Sequence, residues 1–120
     1  LNGIVGEGSS NINISSNRVT NFFNFGIEMQ SSEIFTMDNN RMEKNISVGA
    51  INEHVHSMNI YLIHTKKGTI TNNSLQGNTS VLIGIINSSE ISVDRCELRD
   101  SEMGIISIQS NNMNITKNEI

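Results

Sequence analysis

The chain has no proline and no tryptophan, a single cysteine, and only five aromatic residues, four Phe and one Tyr. So few large apolar groups, with 36% hydrophobic residues overall, make an ordinary globular core hard to build. One cysteine, Cys96, excludes an internal disulfide. Basic residues are also scarce. The eight are scattered, with only Lys66 and Lys67 adjacent, against a net charge of -4. Such a chain has no surface that tracks phosphates, so nucleic acid is not an expected partner. The longest apolar run, "VLIGII", is far too short to cross a bilayer, and no membrane partner is expected. The opening "LNGIVGEGSS" lacks the charged and apolar regions of a signal peptide. Disorder is excluded in turn, because Ile, Val, Leu and Met are plentiful and charge is low. Asparagine is in conspicuous excess.

The asparagines recur in step. Five segments align, "INISSNRV" from Ile12, "FTMDNNRM" from Phe35, "GTITNNSL" from Gly68, "ISVDRCEL" from Ile91 and "MNITKNEI" from Met113. Three of the four steps between their starts agree to within one position, and the step from Phe35 to Gly68 is longer by nearly half. The first, third and eighth columns are apolar in fourteen of fifteen cells, Gly68 being the exception. The fourth column (Ser15, Asp38, Thr71, Asp94, Thr116) holds short side chains that bond nearby backbone, as turns require. The sixth reads Asn17, Asn40, Asn73, Cys96 and Asn118. A second apolar strand keeps the same step, with "GIV" at Gly3, "GIEM" at Gly26, "GAI" at Gly49 and "GIISI" at Gly104, and serines follow it.

Each repeat therefore reads as strand, turn, strand, Asn-marked turn, strand and loop, with period-two alternation and no helical period. A unit of about 22 residues cannot bury its own apolar face, but stacked copies can. Stacking sets each strand on its counterpart about 4.8 Å away. Asn17, Asn40, Asn73 and Asn118 would then form a ladder of amide hydrogen bonds along the axis. Cys96 takes one rung as a small buried filler.

These segments, with their I-x-I-x-x-N-x-I pattern from Gly3 to Ile120, resemble the right-handed parallel β-helix of the pectin-lyase-like superfamily. The resemblance implies an all-β solenoid of about five coils, each of about 22–23 residues, with one enlarged coil. It implies a single domain over 1–120 that is a segment of a longer β-helix. It also implies an extracellular, periplasmic or cell- or virion-surface location, and a polysaccharide lying along the outer face of the first sheet. The superfamily spans lyases, hydrolases, epimerases, NosD-like proteins and phage tailspikes. Two functional expectations follow. One is a domain that binds a polysaccharide or processes it. The other is a non-catalytic structural or adhesive rod.

The family's catalytic sets are not matched. The only aspartates are Asp38, Asp94 and Asp100, the first two in the turn column, and an Asp-Pro-His-Glu motif is excluded without proline. The remaining candidates for substrate binding are Glu28 and Gln30, read as outward-facing and solvated on "GIEMQ", and Glu53, His54, His56, His64 and Lys66 in the enlarged interval. That interval places an insertion within 50–67. Either "GAINE" is its first-sheet strand and the excess follows, or "NIYLIH" is that strand and the excess precedes it. His-x-His puts two rings on one face, yet the spacing of a third ligand is wrong for a metal motif, so no metal and no cofactor is expected. An ordinary polar loop carries the same residues. Adjoining β-helix coils or capping segments are expected at the ends, since open strand edges invite pairing.

Overall fold

A computed structural model describes residues 3–22, 24–44, 57–77 and 79–119, and every element among them is a β-strand. The first coil runs β1 (Ile4–Glu7), β2 (Ser10–Ser15) and β3 (Arg18–Thr20). The second runs β4 (Phe25–Gln30), β5 (Glu33–Asp38) and β6 (Arg41–Lys44). The third is β7 (Met58–Ile63), β8 (Lys66–Thr71) and β9 (Ser74–Gly77), and the fourth β10 (Val81–Ile86), β11 (Ser89–Asp94) and β12 (Glu97–Arg99). A last partial coil holds β13 (Met103–Ile108) and β14 (Asn114–Thr116). Like strands stack into three parallel sheets, ordered β1-β4-β7-β10-β13, β2-β5-β8-β11-β14 and β3-β6-β9-β12. The fold is a parallel β-solenoid. Its coil count is corrected from five to four complete turns and a part, because the third sheet gains only an isolated Glu97–Glu119 bridge in the last coil.

The inward columns make the core. On the first sheet Ile27, Ile60 and Ile83 stack, as do Met29, Leu62 and Ile85, all fully buried. On the second, Met37, Ile70 and Val93 lie one above another, and on the third Met42 lies against Leu75 and Leu75 against Leu98. Gly68, the one non-apolar cell, has a packing reason. A Cβ there would collide with the ring of Phe35, which comes from the coil before and fills the space itself.

Two side-chain ladders mark the corners. Between the second and third sheets, Asn40 Oδ1 accepts from the Asn17 backbone N–H at 3.0 Å, and Asn73 Oδ1 accepts from the Asn40 N–H at 2.8 Å. Asn118 Oδ1 accepts from the Cys96 N–H at 2.9 Å, and the Asn40 and Asn73 amides also donate to the Ile14 and Met37 carbonyls. Between the first and second sheets a hydroxyl ladder does the same work. Ser32 Oγ accepts from Ser9 N–H, Ser88 Oγ from Thr65 N–H, and Ser110 Oγ from Ser88 N–H, at 3.1–3.2 Å. The turn column adds Asp38 accepting from Thr71 Oγ1 at 2.9 Å and Asp94 accepting from Thr116 Oγ1 at 2.8 Å.

The enlarged interval is resolved in favour of "NIYLIH" as the first-sheet strand. Met58 pairs with both Phe25 and Val81, so the excess precedes β7 and lies between Lys44 and Met58 rather than reaching into 58–67. Gly49 lies outside the described residues, and the first-sheet position of the third coil belongs to β7.

Candidate functional site

The outer face of the first sheet is built from the residues that alternate with the core. Glu28 on β4 stands between Val5 on β1 and Tyr61 on β7, and Gln30 stands between Glu7 and Ile63. Phe25 opens β4, and its ring stacks on that of Tyr61 with centroids 4.6 Å apart and planes at 16°. The two half-buried rings thus face each other across neighbouring coils. Farther along, Gly84 leaves room for the Met58 thioether, since a Cβ there would meet its sulfur. Ile63, Ile86 and Ile108 continue the surface as an apolar row.

Glu28 does not have the solvated position expected of it. It is only 7% exposed, and its Oε1 accepts a hydrogen bond from Gln30 Nε2. Alternation along the strand places an acid on the outer face, but only packing from other coils decides whether water reaches it. Glu28 is the only buried carboxylate among the described residues. A carboxylate and an amide joined this way present fixed acceptors and donors beside the aromatic rings.

His64 and Lys66 lie in a regular corner, not in the insertion. His64 follows β7 in a left-handed conformation (φ 53°) that Ser31 and Asn87 share at the same corner of neighbouring coils. Lys66 opens β8 opposite Glu33, with its Nζ 3.8 Å from Glu90 Oε1. Ser31, Ser32, Glu33, His64 and Lys66 line an open pocket of about 400 Å³ at the C-terminal ends of β4 and β7, next in sequence to Gln30 and Ile63. The fold thus brings Gln30, His64 and Lys66 to one border of the outer face. Glu53, His54 and His56 lie outside the described residues.

Other titratable groups sit elsewhere. Asp100, which accepts from Gln76 Nε2 at 2.9 Å, lines a second pocket of about 350 Å³ with Arg99 and Glu102. Burial pushes the Cys96 thiol up, so it stays protonated at neutral pH, held between Asn73 Nδ2 and the Ile70 carbonyl. Burial likewise lowers the Lys44 amine, whose Nζ lies 5.8 Å from the centre of the Phe22 ring. Among the described residues no group of three His, Cys, Asp or Glu side chains is placed to hold a metal ion.

The aromatic pair was missed by reasoning from sequence, though a signal exists. Once the longer interval is applied to the first sheet, Tyr61 falls in the column of Glu28. No protein-family model matches the chain, and neither does any curated protein or solved structure.

Proposed function

We propose that the chain is a polysaccharide-binding β-helix of the pectin-lyase-like kind, exposed outside the cell or on a cell or virion surface, with the outer face of its first sheet as the glycan platform. The stacked Phe25 and Tyr61 pair beside Glu28 and Gln30 carries this reading. A pyranose ring has an apolar C–H face and a rim of hydroxyls. The apolar surface that the ring pair leaves free suits the face, and a fixed carboxylate–amide pair suits the rim, the usual division of labour in a ligand site. His64 and Lys66 at the adjoining corner add donors for a uronate carboxylate. If glycan is also processed, Glu28 is the group to handle the proton, because burial beside a hydrogen-bonding partner fixes its geometry.

Calorimetric titration with an oligouronate and a neutral oligosaccharide tests the reading. Tyr61→Ala is expected to weaken binding by about tenfold, the loss of one good ring contact. Glu28→Gln is expected to retain binding and to lose any turnover. Wild-type protein that binds neither glycan contradicts the proposal.

A further inference from the structure

We propose that the solenoid has an internal water-binding site at the corner where the third sheet passes into the first, built by Asn59 Oδ1 and Thr79 Oγ1. Among the described residues these are the two buried side-chain oxygens without a hydrogen-bond partner in the protein. Asn59 is 0% exposed and Thr79 5%. A buried polar atom without a partner is strongly disfavoured, and ordered water is the usual means by which folded proteins satisfy one.

The amide of Asn59 cannot be turned over to relieve its oxygen. Its Nδ2 donates to the Gln76 carbonyl at 3.3 Å and to the Met42 carbonyl at 3.4 Å, linking β9 and β6 to β7. Exchanging oxygen and nitrogen would set Oδ1 against both carbonyls, three acceptors with no proton between them. Oδ1 therefore faces away from them. Nor does the fold demand an amide at this place. The same column reads Gly26 in the coil before and Leu82 in the coil after, and Leu82 is buried with no polar group to satisfy.

Thr79 reaches this corner through a tight turn. Gly77 ends β9 at φ 125°, where a Cβ would collide with the Lys44 backbone. The Thr79 N–H then donates back to the Gly77 carbonyl at 2.7 Å, which keeps Thr79 close to Gln76, whose carbonyl Asn59 touches. One residue on, Ser80 Oγ donates to the Ser57 carbonyl at 3.2 Å, so the chain is already stacked on the approach to β7. A water at this corner donates to Asn59 Oδ1 and exchanges a hydrogen bond with Thr79 Oγ1, a group that both donates and accepts. Water fits the local charge, and a cation does not. Lys44 packs against Gly77 and is 1% exposed, while Glu28, the only buried carboxylate among the described residues, lies on the outer face of the first sheet. A second positive charge here would have no counter-charge. The water thus completes the anchorage of β7, the strand that carries Tyr61 two residues after Asn59.

A crystal structure at a resolution that orders internal solvent tests this, together with thermal melting of Thr79→Val, which keeps the volume and removes the hydroxyl. The expected result is a water within hydrogen-bond distance of both Asn59 Oδ1 and Thr79 Oγ1. Thr79→Val should melt about 3 °C below the wild type, because the water and Asn59 lose a partner. Thr79→Ser keeps the hydroxyl and should keep the water. In a dry corner, by contrast, valine removes an unsatisfied hydroxyl and raises the melting temperature. A corner without water in the crystal, or a Thr79→Val variant that melts at or above the wild-type temperature, overturns the proposal. Neither measurement involves a glycan, so the outcome stands apart from the binding reading.

Discussion

At the scale of single residues, position in the stack decides what an asparagine contributes. Asn73 is 1% exposed, and its Oδ1 accepts from both the backbone N–H and the side-chain Nδ2 of Asn40 while its own Nδ2 donates to the Met37 carbonyl. Asn73→Ala strands those groups away from water and should cost about 2 kcal/mol or more. Asn17 is exposed at the first coil, so water replaces what Asn17→Ala removes, and the loss should stay under about 1 kcal/mol. Chemical denaturation of the two variants checks the contrast, and equal losses would contradict it. The residue type announced the ladder in the sequence. Burial did not: Glu28 and Gln30 alternate with Ile27 and Met29 on β4, and nothing local distinguishes a covered acid from a wet one.

At the scale of strands, the inward columns were legible because a period of two and a recurring Asn fix which residues share a face. Gly68 looked like a defect in that pattern and is instead the partner of Phe35 across the β5–β8 pair. Gly68→Ala should therefore destabilise the protein by about 1–3 kcal/mol through overpacking. In a Phe35→Leu background the same substitution should cost less, since the shorter side chain leaves room for the new methyl group. A double-mutant cycle on melting measures the coupling, and strict additivity would show that the two positions do not compete for space. The placement of the insertion was not legible. Gly49 follows Gly26 at the same step by which Gly26 follows Gly3, and so keeps the local period. Met58 and Val81 are separated by that same step, and their pairing settles the register. Two short apolar runs of similar length compete for one sheet position, and only the long-range ladder chooses between them.

At the scale of the whole molecule, the three sheets present surfaces with different capacities. The Asn corner repeats one residue type whose amides are bonded to the coils beside them and to the Ile14, Met37 and Val93 carbonyls. The outer face of the first sheet carries stacked rings, a buried acid and an amide, and it borders the corner that holds His64 and Lys66. On the proposed reading, recognition of a ligand belongs to the outer face of the first sheet and not to the Asn corner. The most direct measurement is titration of isotope-labelled protein with an oligouronate, followed residue by residue through backbone amide shifts. Shifts concentrated at Phe25, Glu28, Gln30, Tyr61 and Ile63, extending to His64 and Lys66, are the predicted result. Shifts concentrated at Asn17, Asn40, Asn73 and Asn118, or none at any residue of the first sheet, would contradict it.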